Sequence, residues 1–408
     1  MNSRIAFFLV LLAGLWTACS SPVSTTITNP LNEEVNELVV EITAPEILQK
    51  AATMKHFKLM DGDTEVPYQL IADGDQISSI LAQVNFAPNE EKTISITSGH
   101  PAEFAKKTQA EISIKEGGVW EWVKKKSGKE QYEYIGGTWK NVDSLWVDPK
   151  HTDHSFDIRY EGPGWESDKI AYRFYLDWRN ATDIFGKKTD SMVLQQVGLD
   201  GFDSYHEMSD WGADILKVGD ALGIGTIAHW ANGKANRVAV TDSLYSEITM
   251  NGDLESKVTT HYMGWEFDGG KTDLTSVLTI KAGSYLTKCD LTSSNPIDSL
   301  ATGIIRLPDT EILQSAEGDG EWAYYATFGV QSLNKDHLGM FIFYKKDQLE
   351  VLAEDVKSHV IVLRPEDQKL TYYFGGAWEL DASNMNNTDK LKVFLDHQLA
   401  MMNAGLIK

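Results

Sequence analysis

From Glu111 to Asp381 the sequence is broken into short β-branched and aromatic runs bounded by turn residues, and no helical segments alternate with them. The clearest runs are Ile304 to Arg306, Tyr324 to Val330, Gly339 to Tyr344, Val360 to Leu363 and Leu370 to Phe374. Parallel strands need long crossovers, usually helices, so this pattern excludes an α/β fold. It predicts a large mainly β domain of two packed sheets. Only the end changes period. After Thr388, read as an N-cap, Leu391, Phe394, Leu395, Leu399 and Met402 share one face at helical spacing. A single amphipathic C-terminal helix packed on the sheets is expected.

Shorter alternating runs precede this region: Leu38 to Ile42, Tyr68 to Ile71, Ile80 to Val84 and Lys92 to Ile96. They predict a small antiparallel β-sandwich over residues 30–105, with the larger domain over 106–408. Residues 1–18 read as a signal peptide, with Arg4, the apolar run Ile5 to Leu15, and Thr17-Ala18 before Cys19. The apolar run is too short to span a bilayer. Cys19 followed by Ser20, Ser21 and Pro22 resembles a bacterial lipoprotein signal, so Cys19 is the expected lipidation site and residues 19–29 the tether. The expected location is the periplasm, anchored to the membrane by that lipid alone. With Cys19 so used, Cys289 has no intrachain partner. The formal net charge of -22 argues against nucleic acid and against an anionic membrane surface as partners. An anionic ligand would have to be held by locally placed Arg, Lys or His.

Residues 161–230 concentrate Trp, Tyr, Arg, Asp, His and Gly with little aliphatic filler. That mixture suits a polar ligand with flat faces and a negative group, which describes a sugar acid. Read as one strand, Tyr172 to Arg179 sends Tyr172, Phe174, Leu176 and Trp178 to a core face. Arg173, Tyr175, Asp177 and Arg179 fall on the other, a candidate clamp. In Ser204-Tyr205-His206-Glu207, His206 and Tyr205 are candidate proton donors or acceptors, with Glu207 or Asp210 fixing the imidazole tautomer. His151, Asp153 and His154 are candidate metal ligands, although an H-x-x-H binds a metal only where the rings converge. His229 and His261 are further candidates, and Trp165, Trp211 and Trp265 are candidate sugar platforms. Gly219 to Gly225 lacks the Lys-Ser/Thr ending of a phosphate loop, and no G-x-S-x-G is present.

The strings EGPGWESD, YRFYLDWRNATDIFGKK and YHEMSDWGADILKVGDALGIG resemble a family of secreted Bacteroidota proteins long described as a domain of unknown function. Some of its members are ulvan oligosaccharide dehydratases. The resemblance implies a β-supersandwich like that of mutarotases and polysaccharide lyases, and elimination of water across C4–C5 of a non-reducing-end uronic acid. It implies an acidic oligosaccharide as substrate and no obligatory cofactor, with a divalent metal as an option. On that reading Arg173 and Arg179 hold the uronate carboxylate, His206 takes the C5 proton, and Tyr205 or His154 protonates the leaving hydroxyl. A polysaccharide lyase, a mutarotase or epimerase, and a non-catalytic sugar-binding lipoprotein are the alternatives.

Overall fold

The computed structural model describes residues 23–201 and 204–408. Cys19 and the leader lie outside the described residues. The chain is mainly β, with sandwiched sheets and a C-terminal helix. Ser24–Thr28, read from the sequence as tether, is instead a strand on the edge of the sheet that continues through Glu91–Ser98, Phe57–Asp61 and Thr64–Val66. Its threonines and isoleucine suit a pleated edge better than a flexible linker. A second sheet of Val35–Ile42, Gln76–Phe86 and Tyr68–Asp73 faces it. Val35, Leu59, Ile80, Phe86 and Ile94 fill the space between.

One helix was missed. Pro45–Ala52 packs Ile47 and Ala51 into this small core, and Pro45 opens it at a position where a helix has no hydrogen bond to lose. Eight residues carry too little period to stand out in the sequence.

The larger part is built on a nine-stranded antiparallel sheet. Its order is Ser144–Trp146, Ser243–Asn251, Glu255–Phe267, Gly270–Lys281, Leu286–Ser293, Lys369–Trp378, Leu338–Lys345, Trp322–Gly329 and Glu311–Gln314. Two five-stranded sheets cover its inner face. One runs Gly212–Asp214, Thr182–Lys187, Ile170–Phe174, Gly164–Ser167, Thr108–Glu111; the other runs Lys234–Arg237, Ala228–Ala231, Leu300–Ile305, Ser358–Leu363, Leu349–Glu354. The layers are joined by aromatic contacts and by hydrogen bonds that satisfy their polar tips. Trp165 Nε1 donates to Thr287 at 2.8 Å, Tyr172 donates to the Tyr285 carbonyl at 2.8 Å, and Tyr372 donates to the Gly225 carbonyl at 2.7 Å. Gly225, with φ +68°, lies so close to the Phe374 ring that a Cβ would meet it at 2.3 Å. Gly225, like Gly223 against the Thr182 carbonyl, therefore serves close backbone packing.

The C-terminal helix, Thr388–Asn403, begins one residue later than its cap: Asn387, not Thr388, is the N-cap and accepts from the Lys390 N–H. Leu391, Leu395 and Met402 are buried, and Phe394 packs on Phe341 and Tyr285.

Candidate functional site

The strand carrying Arg173 ends at Phe174, not at Arg179. A turn closes at Asp177–Asn180, with the Asn180 N–H bonded to the Asp177 carbonyl at 2.9 Å. This turn corrects the expected alternation, because Trp178 swings out and is 49% exposed instead of entering the core. Arg173, Tyr175, Asp177 and Arg179 do gather, but all four are buried.

Arg173 is a buried hub. Its Nη2 lies 2.7 Å from Asp183 and 2.6 Å from Asp214, its Nε donates to Asp183 at 3.1 Å, and its Nη1 donates to the Tyr205 hydroxyl at 2.8 Å. Tyr175 also donates to Asp183. A guanidinium with these partners and 2% exposure has no face left for a substrate carboxylate, so the clamp role expected of Arg173 is not supported. Tyr175 is likewise enclosed, with Arg179 3.9 Å and Arg173 4.8 Å from its ring centre, and does not face a ligand. Two carboxylates on one guanidinium nitrogen cannot both ionise cheaply. Burial, and then the neighbouring Asp183 charge, hold the Asp214 pKa well above the usual carboxylate range.

Arg179 joins this hub to the surface. It is held by Asp177, and it contacts Glu161 and Asp153 at 2.9 Å each. Glu161 also accepts the His154 N–H at 3.0 Å, and His154 Nδ1 sits 2.5 Å from Asp153. Hydrogen bonding to Asp153 raises the His154 pKa. The backbone here is forced. His154, Phe156, Tyr160 and Glu161 have φ of 60°, 61°, 39° and 72°, a region that side-chain-bearing residues rarely occupy. Strain kept by several residues around ionised groups is a mark of functional sites. The EGPGW string serves this corner, since a Cβ on Gly162 would meet the Phe174 carbonyl at 1.8 Å.

His206 and Tyr205 border the same network. Their rings lie 4.6 Å apart, and His206 Nε2 is 3.4 Å from Asp214. Asp214 thus stands at the imidazole, while Glu207 and Asp210 are exposed. Tyr205 is buried, which raises its pKa against the opposing charge of Arg173, so the phenol keeps its proton near neutrality. A narrow cleft of about 10 Å³, room for one water, lies among Trp139, Tyr160, Glu161 and Tyr205.

Asp153, His154 and Glu161 offer three ligand atoms within 4.8 Å of one another. Arg179 already bridges the two carboxylates, so a divalent ion there would compete with a resident cation. His151 does not join this group. Its ring is turned to Asp157 at 2.8 Å; burial opposes its charged form, but Asp157 together with the charges of Asp177 and Glu161 raises its pKa.

The remaining expected residues lie apart or inside. Trp165 and Trp265 are 0% and 1% exposed and pack against Tyr172 and Phe267, so neither is a sugar platform. Polar neighbours in sequence do not expose a Trp whose strand faces a second sheet. Trp211 is half-buried, edge-on to Phe185. His229 is buried against Phe267, which lowers its pKa. His261 contacts Thr275, Glu247 and Tyr245 on the nine-stranded sheet.

Sequence reasoning missed Glu161, Asp183 and Asp214. Asp183 was findable, because it stands opposite Arg173 across a tight hairpin. It also missed a groove of about 1430 Å³ lined by Trp178, Arg237, Lys234, Arg306 and Lys357. There the Arg237 guanidinium lies 5.5 Å from the Trp178 ring centre and donates to the Ala221 carbonyl at 3.1 Å. Among the described residues, no carboxylate forms an ion pair with it.

The family described as domain of unknown function (DUF4861) matches residues 27–406. The chain belongs to this family. No curated protein matches the DUF4861 chain. Among solved structures, an α-mannosidase from Enterococcus faecalis V583 aligns with 92% of this chain and 45% of its own, at 11% identity and a TM-score of 0.44. A protein in glycosyl hydrolase family 38 from Enterococcus faecalis aligns with 92% and 46%, at 9% identity and a TM-score of 0.45. The DUF4861 chain thus spans less than half of either protein, and likeness at this level decides nothing about activity.

Proposed function

We propose that this DUF4861 protein is a carbon–oxygen lyase that eliminates water across C4–C5 of a non-reducing-end uronic acid on an acidic, ulvan-type oligosaccharide. The observation that carries the reading is the strained 154–161 corner, where two half-exposed imidazoles, His154 and His206, meet one buried ion network. Elimination needs three things: a neutralised carboxylate to acidify C5–H, a base for that proton, and an acid for the departing hydroxyl. His206, oriented by Asp214 and Tyr205, is the base. His154, kept protonated by Asp153, is the acid. Arg179 is the guanidinium of this network that reaches the half-exposed Asp153, and a uronate carboxylate would approach it from that side. Arg173 and Tyr205 position these groups from beneath and do not touch substrate. Attachment to the periplasmic membrane through Cys19 belongs to the same proposal.

The test is mass spectrometry of uronic-acid-capped oligosaccharides after incubation. Loss of one water with new ultraviolet absorbance and no chain cleavage is expected. Cleavage of the chain would mean a polysaccharide lyase, and an isomer of unchanged mass a mutarotase or epimerase; either outcome overturns the proposal.

The groove favours a second reading, a non-catalytic sugar-binding protein. An aromatic face beside a guanidinium that, among the described residues, pairs with no carboxylate is suited to a sugar acid whether or not chemistry follows. Oligosaccharide binding abolished by Arg237→Lys and Trp178→Ala, with no product from wild type, would decide for it.

A further inference from the structure

The hairpin Ser113–Lys124 and Glu130–Asn141 belongs to neither layer of the sandwich; its two strands form a sheet of their own, with a single bridge from Ile114 to Ile158 at the base. Register places Trp122 opposite Tyr132 and Trp120 opposite Tyr134, so all four rings share one face. They form a continuous row, with Trp120 and Trp122 centred 5.3 and 5.1 Å from Tyr132. Trp122 is 70% exposed, an unusual position for so large an apolar side chain with no layer to cover.

The tip adds charge. Between 124 and 130 the sequence is KKKSGKE, four lysines and one glutamate, in a chain of net charge -22. Lys125 pairs with Glu133. Among the described residues, Lys124, Lys126 and Lys129 form no ion pair. Nothing in the fold requires this local reversal of sign. The ribbon is also tied to the candidate site. Gln131 donates to the carbonyls of Asp153 and His154 at 2.8 and 2.9 Å. Lys150 stands 5.7 Å from the Trp120 ring centre, and Trp139 walls the narrow cleft.

We infer that this ribbon is an arm that holds a polyanionic glycan chain, with sugar rings on Trp120, Trp122 and Tyr132 and anionic groups on the tip lysines. Charge complementarity selects the occupant. Rings arranged in a row fit a linear polymer of flat-faced units, and the Trp120 end of the row stands at Lys150, three residues before Asp153. The inference rests on the uronate reading of that site, extending it from one terminal sugar to the chain behind it.

The experiment is affinity electrophoresis of the full chain in gels containing polygalacturonate or its fully methyl-esterified form, with a flotation assay on anionic phospholipid vesicles. Wild type should be retarded by polygalacturonate, less at high salt, and little by the ester. Two variants are compared: Trp122→Ala, and Lys124→Ser combined with Lys126→Ser and Lys129→Ser. Each should bind polygalacturonate about tenfold more weakly while turning over a short oligosaccharide at the wild-type rate. Wild-type retardation in either variant overturns the inference. So does lysine-dependent vesicle binding without polygalacturonate binding, which would make the arm a membrane contact. If no water loss is found on any substrate but lysine- and Trp122-dependent binding persists, the elimination chemistry fails and the arm stands. Water loss with arm-independent binding condemns the arm alone.

Discussion

The Arg179 guanidinium lies 3.9 Å from the centre of the Tyr175 ring, closer than Arg173 at 4.8 Å to the same ring. One phenol thus separates two cations of different standing. Arg173 is closed in by Asp183, Asp214 and Tyr205, while Arg179 reaches Asp153, the most exposed carboxylate of the network. Chemistry that involves an incoming anion belongs to the second, and stability to the first.

Arg173→Met should therefore act on the fold. It would leave Asp183 and Asp214 buried without their cation, which costs about 3–5 kcal/mol. Urea unfolding should show that loss. Arg179→Lys should lower activity with a much smaller change in the unfolding midpoint. A stable Arg173→Met protein would mean that the carboxylates hold protons regardless of the guanidinium.

Asp214 sets a pH dependence. Its folded pKa is raised above the unfolded value, so the native state holds a proton that the unfolded chain releases. Stability then falls as pH rises from the unfolded carboxylate value, about 3.9, towards the folded one. Asp214→Asn keeps the shape without the ionisation. Its melting temperature should gain on wild type as pH rises through that window and match it most closely at the acid end. A parallel pair of melting curves across pH would show that Asp214 is ionised in the fold.

The two tryptophans read the wrong way round offer a direct comparison. Trp165→Ala should cost about 3–5 kcal/mol, because a fully buried ring leaves a cavity between two sheets. Trp178→Ala should change stability by no more than about 0.5 kcal/mol and lower oligosaccharide affinity only if the groove is used. Thermal melts of the two variants check this.

These two residues also show what a sequence can and cannot reveal. Strands were legible as continuous β-branched and aromatic runs bounded by turn residues: Val360 to Leu363 and Leu370 to Phe374 fall inside Ser358–Leu363 and Lys369–Trp378, both buried along nearly their whole length. Leu391 and Leu395 read as a helix face because burial on one face repeats locally. Trp178 was misplaced because a turn at Asp177–Asn180 breaks the period after one more residue than the pattern could resolve. Trp165 was misplaced because its partner Thr287 lies 122 positions away, and only the tertiary fold brings them together. The Arg173 cluster stood out as a group of residue types, yet its meaning depended on Asp214 and Glu161, which no spacing rule links to it.

Asp153→Asn bears most directly on the proposed chemistry. The hydrogen bond that His154 donates to Asp153 is the largest influence raising the His154 pKa. A raised imidazole pKa keeps His154 protonated, and so able to act as the acid, to higher pH than an ordinary histidine. Activity that depends on the acid form is full at low pH and declines as pH rises through the folded pKa. Removing the Asp153 charge should lower that pKa and move the alkaline limb of the rate profile to lower pH. The His154 ring resonances, followed by NMR in the same variant, should titrate at correspondingly lower pH. His206→Ala should instead lower the rate about a hundredfold to ten-thousandfold at every pH, as loss of a general base does. A His154 titration that moves in Asp153→Asn without moving the rate profile would remove His154 from the reaction.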